Sequence, residues 1–412
     1  MGNRPLEGIR VVEMATFIAA PCTARFLADL GAEVIKVEPP MGDPLRYTAV
    51  NEGRPLDQKE NTSYDLENAG KTCISLNTKS EEGREALEKL LATADVFICN
   101  WRQSPLKRAG LDWETLHKKY PKLVYGYVSG YGEKGPDKDL PGFDFTAFYA
   151  RGGILGPLRD KNSLPMLTVQ GFGDHQVAMN LAAGVLAALF KAKMTGEGDH
   201  VVVSLFHSAI WDISLMLQAS QYGADSTQYP MERWKLGNPL VLCYETADGQ
   251  WLQIAMPQYD RHYPILMNAM GYPELADDAR YYPQKNLIPN REEFSAWITA
   301  EFKKKTCDEW CKLLDANDLP YAIAQEWDSL LEDKQAWASD CFYEMYYSNG
   351  NKRTLVRPPV LFDQMGLPPY ERGPYLGEQT KDILGELGYS AEAIDELIKS
   401  GAAIDMDPAL RD

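Results

Sequence analysis

Positive charge is scarce in this sequence: 42 Lys and Arg stand against 59 Asp and Glu, a formal net charge of −17. A nucleic-acid partner needs a basic footprint, so none is expected, whereas an anionic small molecule needs only local positive charge. Cysteine is sparse, with seven scattered residues, an odd number that argues against a disulfide framework. No run of about 18 residues is free of polar breaks, so neither a membrane span nor a membrane partner is expected. The opening MGNRPLEGIRVVEMA lacks the basic-then-apolar build of a signal peptide, which makes the cytoplasm the expected location. No G-x-S-x-G elbow, no H-E-x-x-H and no paired C-x-x-C occurs, so a serine hydrolase and a zinc enzyme are unsupported and no metal site is expected. Cys307 and Cys311 lie four apart on a predicted helix with no second ligand pair nearby, which reads as helix packing.

What remains is the composition of a folded protein, 45% hydrophobic and 25% charged, long enough for two or three domains. Strand and helix patterns alternate through the first two hundred residues. Predicted strands are Ile9–Ala15, Glu33–Glu38, Thr72–Asn77, Asp95–Asn100, Leu123–Tyr131 and His200–Leu205. Helices lie between several of them, one of them capped by Ser80. Such alternation implies a parallel, doubly wound α/β sheet. The stretch from Pro39 to Gly70 is polar and rich in Gly, Pro and Asn, and reads as a long functional loop. Near Gly223 the character changes to a hairpin around Asp248–Gly249 followed by helices, a smaller α+β domain. The boundaries expected are 1–222 for the first part of a large Rossmann-like domain, 223–326 for the small domain, and 327–412 for a return to the large one.

One decoy and two nucleophile candidates stand out. GYGEKG (Gly130–Gly135) spells G-x-G-x-x-G after a strand, but PDKDLPG follows and cannot open the helix a dinucleotide needs. Cys22 lies near a helix start, where a thiol pKa falls. In VQGFGDHQVAMNLAAGVLAALF (Val169–Phe190) an apolar helix begins at Gly171, Gly173, Asp174 and His175. Asp174 is read from the residues alone either as an N-cap or as a chemical carboxylate.

Several blocks carry a resemblance over nearly the whole chain: PLEGIRVVEMATFIAAPCTARFLADLGAEVIKVEPPMGDPLR, NAGKTCISLNTKSEEGREAL, ADVFICNWRQSPLKRAGLDWETLHKKYPKLVYGYVSGYGEKGP, GFGDHQVAMNLAAGVLAALFKAKMTGEGDHVVVSL and YLGEQTKDILGELGYSAEAIDEL. In this order they resemble the family III CoA-transferases of the CaiB/BaiF type, which include formyl-CoA and carnitine CoA-transferases. The resemblance implies an interlocked-ring homodimer, each chain pairing a Rossmann-like large domain with a smaller α+β domain. It implies no permanently bound cofactor, with coenzyme A thioesters as substrates. It places the nucleophile at Asp174, kept ionised by the helix N-terminus. For CoA it implies Ile18 and Ala19; Leu76, Asn77, Thr78 and Lys79; Asn100, Trp101, Arg102 and Arg108; and Ser129, Gly130, Tyr131 and Gly132. Lys79, Arg102 and Arg108 suit the phosphates.

Ile18, Pro39 and Ser129 stand where formyl-CoA transferase has glutamine, arginine and lysine, which argues against oxalate. The glycine-run lid of that enzyme is reduced to LGNP (Leu236–Pro239). The racemase branch carries Gly-His-Asp where this chain has Gly142, Phe143 and Asp144, and a phenyl ring cannot move an α-proton. GDPLRYTAVNEGRPLDQKENTSYDLENAGK and GYGEKGPDKDLPGFDFTAFYARGG are most similar to the (R)-2-hydroxyacid branch of amino-acid fermentation. That branch transfers CoA from an enoyl-CoA to acids of the phenyllactate or 2-hydroxyisocaproate type. Phe143, Phe145, Phe148 and Tyr149 suit an apolar side chain there, or a core. The alternatives are bile-acid, dicarboxylate or carnitine transfer, a racemase, and a non-catalytic CoA-binding protein.

Overall fold

The fold is described from a computed structural model, for residues 4–223, 229–366 and 370–411. The chain forms two compact units. One comprises residues 1–154, 167–215 and 334–412, the other residues 155–166 and 216–333.

The first unit is built on a sheet whose strands read as nearly continuous apolar runs, as strands covered on both faces do. They are β1 (Arg10–Met14), β2 (Glu33–Glu38), β3 (Thr72–Leu76), β4 (Val96–Cys99), β5 (Val124–Ser129) and β6 (His200–Ser204). All six are parallel, in the order β3-β2-β1-β4-β5-β6, and a short C-terminal strand, Ala403–Ile404, adds antiparallel to β3. The chain order reverses between β1 and β4. That is the switch point of a doubly wound sheet, where loops from the carboxyl ends diverge and leave a crevice. On one face, the core joins Phe97, Tyr125, Leu87 and Leu90 to Leu384 and Leu397 of the C-terminal helices. The helix Ala19–Asp29 and the 24-residue helix Phe172–Thr195 pack on each other and against β5. By length and composition the longer helix could cross a membrane. It packs against Ala19–Asp29, β5 and β6 of this unit.

The polar stretch from Pro39 to Gly70 is more ordered than its composition suggests. It holds a 3₁₀ run, Pro44–Glu52, and a helix, Thr62–Asn68. Its polar residues serve as caps: Asp43 accepts from the Leu45 N–H and Asn61 from the Tyr64 N–H.

The second unit has a three-stranded antiparallel sheet of β7 (Cys243–Glu245), β8 (Trp251–Ile254) and β9 (Tyr321–Ile323). The β7–β8 turn contains Asp248 and Gly249, with Gly249 at a φ of 78°. Helices Tyr259–Met270, Arg291–Phe302 and Cys307–Asp315 close an aromatic core around Tyr263, Phe294, Phe302 and Trp310.

A chain of buried charges runs beneath the carboxyl end of β1. Lys36 Nζ lies 2.7 Å from Glu13 Oε1 and 3.0 Å from Asp43 Oδ2. Lys71 Nζ lies 2.6 Å from Glu13 Oε2. All four side chains are fully enclosed. Burial alone would raise the Glu13 carboxyl, but Lys36 and Lys71 outweigh it and hold it below its ordinary value. Removing Lys36 leaves Asp43 buried without its cation and Glu13 with Lys71 alone, which costs about 3–5 kcal/mol. Lys36→Met is therefore expected to lower unfolding stability by about that amount. Urea denaturation monitored by circular dichroism checks this; a loss under about 1 kcal/mol contradicts it.

Candidate active site

The loops leaving β1, β4 and β5 meet at the switch point. After Met14 the chain turns through Thr16, Phe17 and Ile18 into the helix that starts at Ala19. Lys36 Nζ donates to the Ala15 carbonyl at 3.1 Å. The Thr16 N–H donates to the Asn100 side-chain oxygen, and the Asn100 amide donates back to the Thr16 carbonyl. The Phe17 N–H donates to Asp43 Oδ1 at 3.0 Å. Phe17 is thereby held at a φ of 64°, a left-handed conformation that costs a side-chain-bearing residue about 1–3 kcal/mol.

These loops line a cavity of about 240 Å³ together with the head of the long helix. Ile18, Ala19, Asn100, Arg102, Ser129, Gly130 and Asp174 all line it, so the structure brings these seven predicted residues together. Phe17, Lys138, Leu140, Phe143 and Leu205 complete much of the wall. The other predicted residues lie elsewhere. Leu76 is buried in the sheet core, and Asn77, Thr78 and Lys79 form the turn that follows β3. Thr78 borders a separate cleft with Ala109 and Gly110, which directly follow Arg108. Arg108 is exposed and donates to the Ser104 hydroxyl. Trp101 packs against the sheet core, and Tyr131 lies beside Phe206 with the two rings tilted by 50°. Gly132 donates to Ser129 Oγ at 2.9 Å, so the GYGEKG segment forms a turn and opens no helix.

The long helix begins differently from the capping interpretation. Gly171, at a φ of 80°, is the N-cap, and Asp174 is the third helical residue. A left-handed cap favours glycine because no Cβ is strained there. Among the described residues the Asp174 carboxylate has no hydrogen-bond partner, which leaves it free toward the cavity it lines. Gly173 has no room for a side chain: a Cβ would come within 2.4 Å of Asp144 Oδ1 and 2.3 Å of the Phe148 ring. Its N–H donates to Asp144 Oδ1 at 3.2 Å, while Asp144 Oδ2 is buried and unpartnered. Phe148 and Tyr149 are buried, whereas Phe143 is 55% exposed and lines the cavity.

Three carboxylates therefore converge on the head of one helix. Burial pushes Asp174 up to about 7, with Asp144 and Glu67 adding negative charge and His175 opposing them. Burial likewise pushes Asp144 up to about 6, against the N–H groups of Gly171 and Gly173. Burial and the neighbouring charges thus oppose the ionisation of Asp174 that the helix N-terminus alone would favour. His175 Nε2 lies 2.8 Å from the buried Glu67 carboxylate. Burial lowers the tendency of His175 to protonate, but Glu67, Asp174 and Asp144 together raise its pKa above the ordinary value. Cys22 stands within 4.8 Å of Glu67 and His175. Burial and the Glu67 charge push its thiol well above the usual range, so the thiolate expected from its position at a helix start is suppressed. Of the two nucleophile candidates, Asp174 is the one that lines the cavity.

Glu67 escaped sequence reading because it reaches the site only through the fold. Asp144 was met only within Gly142-Phe143-Asp144, where the racemase branch has Gly-His-Asp, and its place beside Asp174 follows from the fold. Phe17 gave no local signal, since its exposure follows from a backbone angle.

The sequence profile of CoA-transferase family III matches residues 6–380. The chain is 52% identical to the cinnamoyl-CoA:phenyllactate CoA-transferase of Clostridium sporogenes, over 95% of this chain and 96% of that protein. It is 41% identical to the (R)-2-hydroxy-4-methylpentanoate CoA-transferase of Clostridioides difficile, over 95% of this chain and 97% of that one. The crystal structure of Rv3272 from Mycobacterium tuberculosis superposes with a TM-score of 0.81 at 25% identity, covering 93% of this chain and all of that chain.

Attack by a carboxylate requires its ionised form. The rate of CoA release from a thioester is expected to rise with pH through an apparent pKa near 7, where Asp174 loses its proton. Asp144→Asn removes a neighbouring negative charge and should move that midpoint to lower pH. Stopped-flow measurement of thiol release across pH 5–9 (about two units either side of Asp174) checks the sign. An unmoved or raised midpoint contradicts it.

Proposed function

The chain belongs to CoA-transferase family III, and from that premise we propose that it moves CoA from an enoyl- or acyl-CoA to an (R)-2-hydroxy carboxylic acid, with Asp174 as the nucleophile. The donor and acceptor are of the kind named for the two relatives: cinnamoyl-CoA with phenyllactate, or the 4-methylpentanoate counterparts. The observation that carries the nucleophile is its placement. Asp174 is the carboxylate that lines the cavity at the switch point, in the first turn of the long helix.

The chemistry follows from a carboxylate in that position. An Asp174 oxygen attacks the thioester carbonyl. The C–S bond breaks, the CoA thiolate leaves with the electron pair, and a mixed anhydride remains. The thiolate attacks the aspartyl carbonyl of that anhydride and expels the first acid as its carboxylate, leaving an aspartyl-CoA thioester. The acceptor carboxylate attacks that thioester and releases thiolate. Attack of the thiolate on the acceptor's acyl carbon then gives the new CoA ester and restores Asp174. No proton is gained or lost over the cycle.

For the CoA moiety, Ile18, Ala19, Asn100, Arg102, Ser129 and Gly130 border the thioester end, sharing the cavity with Asp174. Asn77, Thr78, Lys79 and Arg108 extend along the carboxyl ends of β3 and β4, where Lys79 and Arg108 are exposed cations suited to phosphates. Leu76, Trp101, Tyr131 and Gly132 shape the turns that carry these groups. The working unit is an interlocked homodimer in the cytoplasm, as the family resemblance implies; sedimentation as a stable monomer would overturn the dimer.

The test is CoA exchange followed by mass spectrometry, with a panel of 2-hydroxy acids and enoyl-CoA donors. Product from phenyllactate or 2-hydroxyisocaproate is expected, with Asp174→Ala losing about 10³-fold or more in kcat. Activity that survives in the variant would remove Asp174 from the mechanism. An enzyme active only on other acids would move the substrate to the dicarboxylate, bile-acid or carnitine class.

A further inference from the structure

Two aromatic rings stand at the mouth of this cavity without the burial that usually retains such residues. Phe17 is 37% exposed and Phe143 is 55% exposed. Both line the cavity that contains Asp174, and they face each other edge to face, with centroids 6.2 Å apart and planes at 89°. Phe17 is also the more costly of the two to keep. Its φ of 64° suits glycine, and more than a third of the residue's surface remains exposed. The backbone that imposes the angle is over-determined from beneath, by Asp43 on its N–H and by Asn100 on Thr16. Strain of this kind persists where the surroundings fix it and collects at ligand sites. Leu140 and Leu205 extend the same wall, making one apolar side to a cavity that otherwise carries Asn100, Arg102, Ser129 and Lys138.

We infer that Phe17 and Phe143 seat the side chain of the transferred acyl group, and that they make the enzyme prefer an aryl over a branched alkyl substrate. This rests on the transfer reaction proposed above and names its substrate class. Two perpendicular rings offer a third ring both an edge and a face, an arrangement that adds aromatic contact beyond the area buried. A branched alkyl group of similar reach gains the buried area alone. The added contact corresponds to about two- to tenfold in specificity. The turn fixes the Phe17 backbone before substrate arrives, so less is lost in placing its ring on binding.

The experiment measures the first half-reaction, CoA thiol release, from cinnamoyl-CoA and from 4-methylpent-2-enoyl-CoA. The full-length wild type is compared with Phe17→Gly and Phe143→Leu. The wild type is expected to favour cinnamoyl-CoA in kcat/KM. Each variant should lower the cinnamoyl to methylpentenoyl ratio by about two- to tenfold. Phe17→Gly should melt no lower than the wild type, because glycine relieves the backbone strain. An unchanged ratio in both variants overturns the inference. So does an equal loss on both donors with a lower melting temperature, which marks the rings as structural. A wild type that favours the branched donor also overturns it. Release of CoA from neither donor would refute the transfer reaction itself, an outcome distinct from an unchanged ratio.

Discussion

The buried chain of charges from Lys71 through Glu13 and Lys36 to Asp43 is the constraint on which the site depends. Each link is a short ion pair without solvent, and its far end does local work. Asp43 takes the Phe17 N–H and Lys36 takes the Ala15 carbonyl. The turn after β1 is therefore fixed by groups whose own geometry is fixed from several strands at once. Buried ion pairs are weak as net stabilisers, because desolvation offsets most of their attraction. Here their effect is positional: the sheet sets where the turn lies, and the turn forms one wall of the cavity that Asp174 lines.

The second constraint is electrostatic. Asp144, Glu67 and Asp174 approach one another around the start of one helix, with His175 as the nearby counterweight. Burial, and after it the charges of Asp144 and Glu67, resist ionisation, so Asp174 holds its proton more tightly than an exposed carboxylate. A nucleophile whose pKa lies near neutral is more basic than an ordinary aspartate when it does ionise. Glycines at 171 and 173 let the chain pass close enough for this crowding: one adopts the left-handed cap and the other abuts Asp144 and Phe148.

The parallel sheet was legible because its strands are apolar runs bounded by turns, and β2 falls at Glu33–Glu38 as its residues predict. The family and its reaction class were legible through resemblance over almost the whole chain. The N-cap was misread because Asp is the commoner cap, while Gly171 does that work through its φ. The ordered Pro44–Glu52 and Thr62–Asn68 segments were read as loop because their polar residues are caps, which composition alone does not separate from coil. A sharper signal went unused. Lys36 lies inside the buried strand EVIKVE, and a lysine there demands a partner. The partners, Glu13 and Asp43, sit on the neighbouring strand and in the next loop. The Glu67–His175 pair joins residues 108 positions apart, which no local pattern reveals.

The central claim is that Asp174 becomes covalently acylated. It is tested most directly by incubating the enzyme with cinnamoyl-CoA, trapping with hydroxylamine, and mapping the modified peptide by mass spectrometry. The account predicts a hydroxamate on Asp174, formed only when the thioester is present. A hydroxamate on another carboxylate, a modified Cys22, or no adduct while CoA is still transferred would contradict it.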